Sequence, residues 1–164
     1  MSVKKRSNMK DNSPYTEHPK RLADVMSAIQ VMGTYKFGSR TIDNWEKSIG
    51  RTPISADNWS DLFDQHPEFF RIKSGYASLV WRRAKPKNYH IDQCKDLSET
   101  EIKVLDDKGK KKLTRRPLDS SQVEALLNSA VQLHSSALSH KKEMRWWVPL
   151  VASLIGILVG ALIE

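Results

Sequence analysis

The chain has 164 residues, 27 Lys and Arg against 19 Asp and Glu, a formal net charge of +8, and one cysteine. A single cysteine excludes an intramolecular disulfide and suits a reducing compartment, and the length leaves room for one small domain with linkers. Charge is unevenly spread, with +4 over residues 1–21, −4 over 55–70, +6 over 71–87, −3 over 88–102 and +5 over 103–116, so the basic blocks suit phosphate-rich partners, either nucleic acid or anionic lipid heads.

Residues 1–17 are polar and basic without periodicity, and are expected to form a disordered arm. A domain is expected over residues 18–85. Its first helix begins near Pro19, a favourable first helical residue, and carries Leu22, Val25, Met26, Ile29 and Met32 on one face as far as Gly33. A second helix, over about residues 41–49, has Ile42, Trp45 and Ile49 as its apolar face and Gly50 as its stop. Ser55 is expected to cap a third helix that reaches His66, with Trp59, Leu62 and Phe63 facing inward and Pro67 ending it. Two β-prone runs, 69–73 and 76–82, flank Ser74-Gly75 and predict a hairpin. Trp45, Trp59, Phe63, Phe69 and Phe70 read as core, because so small a domain needs large apolar side chains.

The order helix, helix, helix, hairpin, with HPEFFRI leading into GYASLVWRR, resembles winged-helix domains over residues 19–85. The resemblance implies a helix-turn-helix variant with a β wing, whose third helix ordinarily lies in the DNA major groove. This third helix departs from the pattern. It carries Asp57, Asp61 and Asp64, with Glu68 after it, and has no Lys or Arg, so phosphates repel it. Those aspartates are instead candidates for docking a basic protein partner. The wing carries Arg71, Lys73, Arg82, Arg83, Lys85 and Lys87, interleaved with Tyr76 and Trp81. These are candidate contacts for nucleic-acid phosphates, single-stranded bases or anionic lipid. The competing expectation is a plain basic edge that keeps strands from pairing with other chains.

Residues 86–118 read as a linker. Ile102 and Val104 alternate with polar residues, and Asp107-Lys108-Gly109 suits a turn, so either a second hairpin or a basic spacer is expected there. Ser98-x-x-Glu101 imitates a capping box, but the alternation after it argues against a helix. Ser121-x-x-Glu124 is the better box. An apolar stripe from Val123 through Leu126, Leu127, Ala130, Val131, Leu133 and Ala137 to Leu138 follows it and predicts a juxtamembrane helix over 119–144.

Residues 146–163, WWVPLVASLIGILVGALI, carry no charge. Eighteen helical residues reach roughly 27 Å, close to the ~30 Å hydrocarbon thickness of a bilayer, which predicts one C-terminal transmembrane helix. Lys141, Lys142, Arg145, Trp146 and Trp147 would lie at the membrane interface, with the N-terminal domain in the cytoplasm. Ala152, Gly156 and Gly160 share one helix face and are candidate packing positions for a homodimer formed through the transmembrane and juxtamembrane helices.

No metal-ligand or catalytic constellation is legible. His90-x-x-x-Cys94 has no second half, His134 and His140 fall on different sides of a helix, and no Gly-rich phosphate loop occurs. The expected fold class is mainly α with a small β-hairpin: a winged-helix-like domain, a juxtamembrane helix and one transmembrane helix. The expected function is that of a single-pass, tail-anchored membrane protein, with no enzymatic activity, metal or cofactor, that presents a cytoplasmic adaptor to a protein partner. The alternative is a membrane-tethered nucleic-acid-binding regulator that uses the wing and the N-terminal arm.

Overall fold

The computed structural model describes residues 13–143. After a 3-10 turn at Pro14–Thr16, helix α1 (Arg21–Thr34) buries Val25, Ala28, Ile29 and Met32, which are four positions spaced to share one helix face. Helix α2 (Ile42–Ile49) buries Trp45 and stops at Gly50, whose φ of 84° is the left-handed conformation that glycine adopts without steric cost. Helix α3 (Trp59–Gln65) buries Trp59, Leu62 and Phe63.

The cap of α3 is Asn58, whose Oδ1 accepts from the Asp61 amide at 2.9 Å. Ser55 is engaged elsewhere: its amide and hydroxyl donate to Asp24 Oδ2 at 2.8 and 2.6 Å. The Ile54 amide donates to the same oxygen at 2.8 Å, and Arg51 Nη1 donates to Oδ1 at 2.5 Å. A buried carboxylate on α1 thus holds the loop leading into α3. Burial alone would raise the Asp24 pKa, but the donors from Ser55, Arg51 and Ile54 outweigh it and keep the carboxyl below its usual range.

Strands β1 (Arg40–Thr41), β2 (Phe70–Lys73) and β3 (Tyr76–Leu79) form an antiparallel sheet in the order β1-β3-β2. The ladder ends at Phe70 opposite Leu79, and the chain turns at once into helix α4 (Val80–Ala84). The second hairpin strand is therefore four residues long, and Trp81 and Arg82, expected on it, lie on a helix.

The stretch expected to be a linker is structured. Strands β4 (Tyr89–His90), β5 (Lys95–Asp96) and β6 (Leu113–Thr114) make a second antiparallel sheet in the order β5-β4-β6. Between its strands lie helices α5 (Glu99–Lys103) and α6 (Asp107–Lys111). Ser98 and Glu101 form a complete capping box on α5, so here the capping signal outweighs the short alternation that follows it. Asp107-Lys108-Gly109 opens α6 instead of turning a hairpin, because Asp106 Oδ1 accepts from the Gly109 amide at 2.7 Å.

Helix α7 (Ser120–Glu143) buries Val123, Leu126 and Ala130 against α1. Its start is set by Asp119, not Ser121. The Gln122 amide donates to Asp119 Oδ1 at 2.8 Å, and Gln122 Oε1 accepts from the Asp119 amide at 3.3 Å. The two helices approach closely at Gly33, where a Cβ would lie 3.2 Å from Val123 Cγ2.

Two expectations are corrected. The fold is not mainly α with one hairpin: among the described residues it is α/β, with seven α-helices and two three-stranded sheets. The second sheet escapes detection because its strands are two residues each, too short for a period of two to register. The membrane-spanning, single-pass, tail-anchored reading also finds no helix to rest on: among the described residues none is long and apolar enough to cross a membrane. α7 has the length, but its exposed positions include Gln132, Ser135, Ser136, His140 and Lys141. The stretch 146–163, with Trp146, Trp147, Ala152, Gly156 and Gly160, lies outside the described residues, as do Arg145 and positions 1–12 of the arm.

Candidate nucleic-acid interface

The two faces of the β1-β3-β2 sheet have opposite character because side chains alternate along each strand. On one face Ala77 and Leu79 of β3 and Phe70 of β2 enter the core, with half-buried Ile72 packed against it. On the other face stand Tyr76 and Ser78. In register, Tyr76 lies between Thr41 and Lys73, and Ser78 lies opposite Arg71. The hairpin turn is Ser74-Gly75, with φ of 51° and 78°. Positive φ at both central residues matches the right-handed twist of the flanking strands and places Ser74 beside Lys73 at the open end of the sheet.

Over this face lies a pocket of about 270 Å³. Three cations line it: Lys73 from β2, Arg83 from α4, and Arg115 from the segment after β6. Ser39, Ser74, Tyr76 and Ser78 complete the lining, three of them small hydroxyl-bearing residues, and no carboxylate takes part. Ser78 is 3 % exposed. Arg115 is held in place because its Nε donates to the carbonyls of Arg83 and Lys85 at 3.2 and 3.1 Å. Those two bonds leave the forked end of the guanidinium for an incoming acceptor. Three like charges around one cavity repel one another, and an anion with several acceptor oxygens relieves that repulsion.

The six cations expected on and beyond the wing separate into distinct roles. Lys73 and Arg83 line the pocket, and Arg71 is exposed on the same sheet face. Lys87 is exposed but does not line the pocket. Lys85 is engaged by the fold, donating to Gln122 Oε1 at 2.7 Å.

Arg82 is corrected outright: it is 0 % exposed and cannot reach a ligand. Its Nη1 donates to the carbonyls of Met32 at 3.0 Å, Tyr35 at 2.5 Å and Phe37 at 3.1 Å, and its Nη2 donates to the Arg115 carbonyl at 2.6 Å. Burial, with Arg115 nearby, lowers its pKa to about 10, so it still carries its charge at neutral pH. It closes the C-terminal end of α1, where carbonyls lack helical partners, and ties that end to the segment that delivers Arg115.

Arg115 was not among the expected contacts, nor were Ser39, Ser74 and Ser78. The sequence marks Arg115 only as one cation of the basic block 103–116, which ends in Arg115-Arg116 before Pro117. Nothing local reveals that the second sheet carries it back over the first. Its neighbour Arg116 turns away, pairing with Asp96 at 3.4 Å.

Asp57, just before α3, and Asp61 and Asp64 on it are all exposed. Lys141 and Lys142 are exposed at the end of α7, and Lys141 Nζ donates to the Thr16 carbonyl at 3.3 Å. A separate polar cluster joins Tyr15, His66 and Glu68. His66 Nδ1 lies 2.9 Å from Glu68 Oε1, and the Tyr15 hydroxyl donates to the same oxygen at 3.2 Å. Burial and the Glu68 charge push the Tyr15 hydroxyl well above its usual pKa. The cluster pins the N-terminal turn to the end of α3. His90 accepts from the Gln93 amide at 3.3 Å and Cys94 Sγ donates to the Ile91 carbonyl at 3.4 Å, so each is occupied locally. No group of His, Cys, Asp and Glu suited to a metal is found among the described residues.

Compared with known proteins, the chain matches no family model, no curated protein and no solved structure.

Proposed function

We propose that the domain is a binding module that grips the phosphate backbone of a nucleic acid through the cationic pocket over the β1-β3-β2 sheet, with no catalytic chemistry of its own. One observation carries this reading: Lys73, Arg83 and Arg115, from three separate elements, converge on a hydroxyl-lined pocket without a carboxylate. Phosphate oxygens accept from guanidinium, ammonium and hydroxyl groups alike, which fits this lining better than an apolar or cationic ligand does.

The test is fluorescence anisotropy of the full-length chain against labelled oligonucleotides over a salt series. Four phosphate contacts, from Arg71, Lys73, Arg83 and Arg115, predict a slope of log K against log salt of about −3 to −4. The double variant Lys73→Glu/Arg83→Glu should abolish binding at low salt. Absence of binding by the wild-type chain at about 50 mM salt would remove the reading.

A second reading rests on the exposed Asp57, Asp61 and Asp64, a surface suited to a basic protein partner. Changing all three to Lys would abolish that partnership while leaving nucleic-acid binding intact or stronger.

A further inference from the structure

We infer that the nucleic acid is single-stranded, with one base stacked on the Tyr76 ring and its phosphate in the pocket below. This deepens the reading above and rests on it. Tyr76 is 53 % exposed although it sits on the central strand, flanked by β1 and β2. A central-strand aromatic that points away from the core leaves a large apolar surface in water, whereas the other face of the same strand is fully packed. The flanking strands fix its backbone, so the ring is a platform prepared in advance, and every base offers a π face to such a platform.

The ring and the cations belong to one site: Tyr76 and Lys73 are direct cross-strand partners, and both line the pocket with Arg83 and Arg115. At about 270 Å³ the pocket falls just below the roughly 300–1,000 Å³ of drug-sized ligand sites, which is room for a phosphate with its sugar.

A duplex is disfavoured, because its bases are already stacked on one another and present no face to Tyr76. Nothing in the pocket distinguishes ribose from deoxyribose, so DNA and RNA single strands are equally admissible.

The experiment uses the full-length chain with four labelled probes of about twelve nucleotides, within the usual footprint of single-strand binders. These are oligo-dT, oligo-rU, an abasic strand with the same number of phosphates, and a mixed-sequence duplex. Both single strands should bind, and the abasic strand and duplex should bind about 5- to 100-fold more weakly. Tyr76→Ala should cost the same factor on the single strands, with an unchanged salt slope and no further loss on the abasic strand. Tyr76→Phe should restore wild-type affinity, which also controls for folding.

If Tyr76→Ala binds as the wild type does, or the duplex binds as tightly as the single strands, the stacking inference is overturned. If the loss in Tyr76→Ala is not restored in Tyr76→Phe, hydroxyl contact replaces stacking and the inference is again overturned. In all these cases Lys73→Glu/Arg83→Glu still abolishes binding, whereas failure of every probe with the wild-type chain overturns the phosphate reading itself.

Discussion

Replacing Arg82 with Met should unfold much of the advantage of this fold, although the sequence places Arg82 in a surface-looking basic run. The side chain donates five hydrogen bonds of 2.5–3.4 Å to the carbonyls of Met32, Tyr35, Lys36, Phe37 and Arg115. A buried acceptor stripped of its partner costs about 1–3 kcal/mol. The Met32 contact is fully buried, while the other four reach partly toward solvent, so roughly two full penalties, about 2–6 kcal/mol, are a fair gross figure. Met also removes a buried cation, whose cost to the fold is visible in its depressed pKa, and this offsets part of the loss. The net expectation is about 2–4 kcal/mol, a large share of the 5–15 kcal/mol typical of a domain. With a urea m-value of about 2 kcal/mol/M, the midpoint should fall by about 1–2 M, followed through the fluorescence of buried Trp45 and Trp59. Arg83→Met, one residue along and exposed, should stay within about 0.5 kcal/mol of wild type. A shift below about 0.5 M for Arg82→Met, or equal shifts for the two variants, would show that the buried fork does not hold α1 to the Arg115 segment.

Two further outcomes follow from the same packing. Asp24→Asn should cost about 1–3 kcal/mol at neutral pH. Because the folded carboxyl titrates below its unfolded value, the stabilisation that Asp24 provides is present above the unfolded value of about 4 and lost as pH falls through the folded pKa; urea midpoints of wild type and variant should therefore converge as pH is lowered below about 4. Gly33→Ile should cost at least about 2 kcal/mol by driving a branched side chain into Val123, and adding Val123→Ala should return part of that loss in the same denaturation assay.

Helices α1, α2 and α3 were legible because each carries a 3.6-residue apolar stripe long enough to count, whereas the five residues of α4 were read as part of a strand. The boundaries were less so, for a reason visible at Ser55 and Asn58. Both residue types cap helices, and only the position of Asp24, thirty-odd residues upstream, decides which one is free to do it. The cationic face was half legible. Lys73 and Arg83 sit in the basic block, but the strand end at Leu79 turns Arg82 inward and Arg83 outward, and no local pattern marks that end. Arg115 was hidden by topology, since its arrival depends on a sheet of two-residue strands and on carbonyl contacts made by Arg82.

A cationic strand pair has an alternative purpose, namely protecting a sheet edge from pairing with another chain, and the structure lets the two purposes be weighed. β2 is an edge strand in the order β1-β3-β2, and Arg71 and Lys73 on it would serve protection well. Protection alone requires charge on the edge and nothing more. It does not call for Arg83 on the helix beyond β3, nor for Arg115, whose guanidinium is held by backbone carbonyls 32 and 30 residues earlier in the chain. Both line a pocket with Ser78 of the central strand, where there is no edge to guard. Bringing like charges together over that strand opposes folding through their mutual repulsion. An arrangement that retains this opposition, fixes one of its cations by hydrogen bonds and surrounds it with hydroxyls is better explained by an anion that occupies it than by an edge that avoids neighbours.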